Sequence, residues 1–310
     1  MTLSLRTAAV FVCALLSAAP AQAFELVQIP AYNPPTGAET AYRVTVTTSG
    51  EYGRNSVGGV PGGSFVNRMT VLEKYRFGFR TFWRVSAEGP GNEAYRETLR
   101  IYGVDAITLD TDLAGATVAL RETAVINTNV HRAISESLHD APPQKGSVLE
   151  KFLKDEYSQP LLFAQAIAPA SALLPAQQFA AMQEVEIGAV ETQTGAITVA
   201  GASVPVITQW VVQTADKDAR TATIAASMTA DEGELTRVYK TQIDANLADA
   251  IARQGPMPPD RAAEFAKASS VRRSVTTLSL DTGMTVSVEE TTEIRIGPLF
   301  ARTVTKVARE

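Results

Sequence analysis

Residues 271–290 read VRRSVTTLSLDTGMTVSVEE. On either side of Asp281-Thr282-Gly283, apolar residues alternate with Ser, Thr and charged residues. Alternation at period two belongs to a strand with one dry and one wet face, and a short polar segment ending in Gly between two such runs is a chain reversal. The reading is therefore of strands at 271–280 and 284–296, with Leu278 and Leu280 facing Met284, Val286 and Val288. A third strand at 299–308 completes an antiparallel meander, which can bury one face and leave the other in water.

The same signal recurs towards the N-terminus. Residues 42–48 (YRVTVTT) alternate cleanly, and 65–87 carry Tyr75, Phe77 and Phe79 at period two, as one long bent strand or two shorter ones, with Arg76 and Arg80 turned outward. Further strands are expected at 94–102, at 106–109 and 116–122 around a turn at 112–115, and at 184–191, 196–200, 204–214 and 219–228, with breaks at Thr194-Gly195, Gly201 and 216–218.

Helical spacing is confined to a few places. Ser147 and Glu150 form a capping box ahead of Val148, Phe152 and Leu153. Residues 161–183 contain no charge, and Pro169 and Pro175 divide them into short helical pieces. Asp231 caps a helix in which Leu235, Tyr239, Ile243, Leu247 and Ile251 recur every fourth residue, and Asp260 opens a short helix to Phe265. Runs of strands separated by helices predict an α+β fold: a curved, half-barrel-like antiparallel sheet, or two, with helical inserts packed on one face.

Arg6, an uncharged run over 7–19, Pro20 and Ala21-Gln22-Ala23 form a secretory signal, too short to span a bilayer and cleaved after Ala23. The expected mature protein is periplasmic and has no transmembrane segment. Residues 24–40 form an extended Pro-rich lead-in, and 41–310 form the α+β domain. That domain is either single or made of two sheet halves, 41–145 and 184–310, joined by a helical insert at 146–183.

Arg6 is the only charge in the signal, so the mature chain keeps 33 acidic side chains against one fewer than the 28 basic ones of the full sequence. That balance speaks against a nucleic-acid partner. Cys13 is the sole cysteine and leaves with the signal, and the two histidines, His131 and His139, lack the spacing of a metal pair on a helix. No metal site and no cofactor are expected, and both histidines are placed in a polar link.

No Gly-x-Ser-x-Gly elbow is present, and the loop 58–63 lacks the Gly-Lys-Ser/Thr of a phosphate cradle. Asp216 and Asp218 lack the glycine and glutamate of a calcium loop. Asp110 with Asp112, Asp231 with Glu232, and Glu289 with Glu290 are the carboxylate pairs that acid–base chemistry would need. Their sequence settings read more simply as a hairpin turn, a helix cap and alternate faces of a wet strand. A non-enzymatic protein is the expectation.

The signal peptide, the strand 42–48, the aromatic strand 75–82, the helical insert 147–183 and the meander 271–308 together resemble the periplasmic half-barrel proteins that include the outer-membrane lipoprotein carriers. Segments such as 273–290 also look like those of uncharacterised exported bacterial families. The carrier resemblance implies a curved sheet closed by helices over an apolar cavity. Read from the residues themselves, the uncharged stretch 161–183 beside the aromatic strand is either a buried pair of helices covering a sheet or a ligand wall including Tyr75, Phe77, Phe79, Phe163 and Leu174. The ligand of such a wall would be a lipid or a lipidated partner such as a lipoprotein. The alternatives are an envelope structural or interaction protein with a filled core, partnered by another envelope protein, and an exported hydrolase.

Overall fold

Thirteen strands carry most of the regular structure in the computed structural model, which describes residues 25–50, 62–87, 89, 91–113, 117–138, 164, 167–173, 182–199 and 201–310. After β1 (Leu26–Gln28), an N-terminal meander comprises β2 (Glu39–Gly50), β3 (Gly63–Tyr75), β4 (Gly78–Ser86), β5 (Ala106–Asp112) and β6 (Thr117–Leu120), with helix α1 (Glu93–Tyr102) between β4 and β5. Helices α2 (Thr123–Leu138) and α3 (Pro169–Leu173) follow, then β7 (Glu184–Glu186).

A second meander comprises β8 (Val190–Val199), β9 (Ala202–Asp216), β10 (Thr221–Ala230), β11 (Ala268–Ser279), β12 (Thr285–Ile296) and β13 (Leu299–Arg309). Helices α4 (Glu232–Val238), α5 (Lys240–Gln254) and α6 (Pro259–Phe265) lie between β10 and β11.

Eleven strands form one curved antiparallel sheet in the order β6-β5-β4-β3-β2-β13-β12-β11-β10-β9-β8. Every neighbour in it is also a neighbour in sequence except at one seam, where β2 pairs with β13 from Tyr42↔Arg309 to Gly50↔Ala301. The two meanders are thus fused through the first strand of one and the last strand of the other. β6 and β8 are the free ends, so the sheet is open. β1 and β7 form a separate two-stranded ribbon, with Val27 opposite Val185.

Alternation fixes which face is dry. On β2, Tyr42, Val44 and Val46 are buried while Arg43, Thr45 and Thr47 are exposed, and the matching inward positions are Phe65, Met69 and Val71 on β3, Phe79 and Trp83 on β4, and Ile107 and Leu109 on β5. We call this the inner face. Within the β4–β5 pairing a Cβ at Gly78 would sit 1.7 Å from the Thr111 carbonyl oxygen, so no larger residue fits there.

Several expectations are corrected. Residues 94–102 form α1 rather than a strand: Tyr95, Leu99 and Tyr102 recur at helical spacing, Tyr95 and Tyr102 are buried, and Glu93–Arg96 and Glu97–Arg100 pair at i,i+3. Gly103 ends α1 at φ 68°, and the Asn129 amide donates to the Tyr102 carbonyl (2.9 Å). His131 lies exposed on α2, a helix where a polar link was expected, and α2 buries Ile126 and Val130 one turn apart. Thr194-Gly195 does not interrupt β8, and 184–191 is divided by a turn between β7 and β8.

Other expectations hold. The C-terminal meander, the β5–β6 hairpin and the turns at Gly201 and 216–218 are present. Asp231 caps α4 by accepting from the Glu234 amide (2.7 Å) and α6 runs to Phe265, but the single helix expected through Leu235, Tyr239 and Ile251 is divided at Tyr239 into α4 and α5. A helical piece begins at Pro169, while the capping-box helix at 147–160 and Pro175 lie outside the described residues.

Candidate functional site

The five residues expected to line a cavity have different fates. Tyr75 ends β3, Arg76 and Phe77 make the turn, and Gly78 begins β4, so Tyr75, Phe77 and Phe79 do not share one strand face. Phe77 is 68% exposed at the turn, beneath the Arg76 guanidinium. Tyr75 is half-buried and donates to the Phe79 carbonyl (3.0 Å). Phe79 alone is an inner-face residue, meeting Tyr32 edge to face at 5.4 Å. Phe163 and Leu174 lie outside the described residues.

Over the N-terminal meander the inner face is lined with aromatics. Phe65 and Tyr95 stack at 4.0 Å, Tyr42 and Trp83 at 6.1 Å, and the Tyr32 hydroxyl reaches the Met69 sulfur. Burial pushes the phenols of Tyr32, Tyr42 and Tyr95 up, so all three are neutral donors.

The uncharged insert docks here. Ala164, Ile167, Ala168, Ala170 and Ser171 are buried, the Tyr95 hydroxyl donates to the Ile167 carbonyl, and the Ala170 amide donates to Asn67 Oδ1 (3.2 Å). Three buried polar atoms at this contact, Tyr42 Oη and Asn67 Nδ2 on the sheet and Ser171 Oγ on the insert, have no hydrogen-bond partner among the described residues, and Tyr42 and Asn67 are direct cross-strand neighbours.

The C-terminal meander presents a different surface. One apolar cluster (Trp210, Val212, Ile224, Leu278) packs against the β1–β7 ribbon through Val27, Ile29 and Val185. Another (Val204, Val206, Ala230, Ala268, Ile296) packs under α4 and α5 through Leu235 and Ile243. Between them the register lays two polar rows across β11, β12, β13 and β2. One runs Ser274–Glu290–Thr305, and the next runs Arg272–Thr292–Thr303–Thr48.

Glu290 is the charged residue at the centre of this belt. Its side chain is 8% exposed and accepts from Arg272 Nε, diagonally across the β11–β12 pair. Burial pushes the Glu290 carboxyl up against the opposing pull of Arg272 and of a Thr292 hydrogen bond. Arg272 is one-third exposed, and its Nη1 and Nη2 atoms have no protein partner among the described residues. Glu289, expected along with Glu290 to be part of a wet strand, does point outward and pairs with Lys306 (2.9 Å); Glu290 is its inward counterpart.

Sequence reasoning missed this pair. The signal that could have found it is the even-numbered apolar series Val286, Val288, Ile294 and Ile296, to which Glu290 and Thr292 also belong.

The other carboxylate candidate sits on the outer face. Asp110 accepts from Arg80 (2.9 Å) and Arg121 (2.7 Å). Burial pushes its carboxyl up, but those two guanidiniums outweigh it and hold the group below the usual range. A carboxylate so neutralised is an ion-pair anchor and a poor proton donor. Among the described residues no three His, Cys, Asp or Glu side chains come together as metal ligands, and no helix is long and apolar enough to cross a membrane. Neither a known protein-family model nor a curated protein matches the chain.

Proposed function

We propose that this is a periplasmic, non-enzymatic protein that binds an apolar ligand, a lipid or a lipidated partner, on the inner face of its sheet, in the manner of the half-barrel carriers it resembles in architecture. One observation carries the reading. An open, curved antiparallel sheet of eleven strands keeps a single dry face, and that face is broken into separate apolar clusters around a half-buried polar belt. An ordinary domain buries one contiguous core with small satellite clusters; what favours a binding face is the combination of apolar walls with a few convergent polar groups. The described part of the uncharged insert, around Ile167 and α3, is the proposed cover.

Lipid extraction followed by mass spectrometry of the protein purified from the periplasm tests this. A stoichiometric acyl lipid is expected; purification free of lipid, together with failure to bind any apolar probe, refutes it. A second reading, an envelope interaction protein, is favoured by β8. This ten-residue edge strand is exposed along nearly its whole length and carries a single charge, Glu191, as strand addition by a partner protein requires. Proline at Thr194 would abolish such a complex and leave lipid binding unchanged.

A further inference from the structure

Resting on the apolar-ligand reading, we propose that Arg272 is the head-group anchor of the site: its free guanidinium edge receives the acceptor oxygens at the end of an acyl chain, either a carboxylate or an acyl ester or amide carbonyl. The argument begins with what an inner-face arginine costs. On a face whose neighbouring rows are Val44, Val288 and Val307 on one side and Ile294 and Ala301 on the other, a charged pair weakens packing relative to two apolar residues. Such a pair needs a role beyond stability.

The geometry supplies one. Glu290 accepts from Arg272 Nε, and the Nη atoms, which have no partner among the described residues, remain as donors. An arginine held by one edge presents the other as a two-pronged donor suited to an oxygen pair. Glu290 also cancels most of the field, so the site discriminates by hydrogen bonding more than by net charge. Thr292 is the direct cross-strand neighbour of Arg272, and the same row continues through Thr303 and Thr48, whose hydroxyls lie 3.5 Å apart and can donate or accept. Beside the pair, the partly buried Ala226, Met228 and Ile294, at the margins of the two covered clusters, give an acyl chain an apolar surface along which to extend. An amphiphile with its polar end on Arg272 would bury its tail without stranding an oxygen.

Three fluorescent probes separate this proposal from the reading beneath it: diphenylhexatriene, which has no hydrogen-bonding atom, cis-parinaric acid, and the methyl ester of that acid. Wild-type protein is expected to bind all three. Arg272→Gln should weaken the oxygen-bearing probes about tenfold or more, the range for losing a charge-assisted hydrogen bond, while diphenylhexatriene binding stays the same. Equal loss of acid and ester assigns the acyl carbonyl as the recognised group; loss of the acid alone assigns the carboxylate.

Glu290→Gln, which keeps the arginine and removes its counter-charge, should bind the acid several-fold more tightly, and it decides the matter if Arg272→Gln does not fold. Unchanged affinity for acid and ester in Arg272→Gln, or weaker acid binding in Glu290→Gln, overturns the head-group assignment and leaves the apolar-ligand reading standing. Failure of wild-type protein to bind even diphenylhexatriene overturns both.

Discussion

Replacing Tyr95 by Phe removes one oxygen from the centre of the protein and tests how the uncharged insert is held. The ring stays, so its stack on Phe65 at 4.0 Å survives and no cavity opens. What disappears is the hydroxyl that donates to the Ile167 carbonyl, and Ile167 is fully buried, so water cannot replace the lost donor. A buried acceptor left without a partner costs about 1–3 kcal/mol. In a protein of this size each kcal/mol lowers the melting temperature by about 2–4 °C, so Tyr95→Phe should melt about 2–12 °C below wild type with little change in denaturant m-value.

Calorimetry and urea titration followed by circular dichroism measure both quantities. Because the same bond secures the proposed cover, the variant should also take up an apolar probe faster. Melting within 1 °C of wild type, at unchanged probe kinetics, would mean that the Tyr95 hydroxyl does not hold the insert and would refute the reasoning.

Three further outcomes follow from other sites. Phe79→Ala should cost about 3–5 kcal/mol, the range for emptying a buried aromatic position, whereas Phe77→Ala should cost less than about 1 kcal/mol, as suits an exposed turn residue; urea melts compare them. Asp110→Asn should lower the melting temperature at pH 7. The Asp110 carboxyl titrates below its unfolded value near 3.9, so its contribution is fully present above that pH and fades as pH falls through the folded pKa. The gap to wild type should therefore close between about pH 5 and pH 2 in a series of thermal melts. Asp231→Ala should cost about 1 kcal/mol by removing the cap on the Glu234 amide, and Asp231→Asn should restore most of it.

The meander was legible because alternation and turn chemistry agree at 271–296: Leu278, Met284 and Val288 are all buried, and Asp281-Thr282-Gly283 lies between the strands. Residues 94–102 misled because Tyr, Thr and Ile favour strands intrinsically, while Tyr95, Leu99 and Tyr102 obey the helical period; packing of Tyr95 on Phe65 settles it. α2 was hidden for a similar reason, since Thr, Asn and Val are poor helix formers and, among the described side chains, Ile126 and Val130 mark its buried stripe.

The polar belt was less legible still. Adjacent glutamates look alike in a sequence, and it is the pairing of β12 with β13 that gives Glu289 its partner Lys306 outside and with β11 that gives Glu290 its partner Arg272 inside. The orphaned polar atoms where the insert docks depend on the contact between Asn67 and Ala170, 103 positions apart, which no local pattern encodes.

The seam between β2 and β13 sets an order of assembly. Thr48 and Thr303 touch across 255 positions of chain, and closing that loop as a first contact costs about 4 kcal/mol more entropy than closing a four-residue hairpin. Each meander therefore zips up from its own turns, and the seam joins two preformed sheets. Until β13 emerges, β2 is an unprotected strand edge, so a chain threaded through a membrane from its N-terminus spends its most aggregation-prone interval waiting for its final strand.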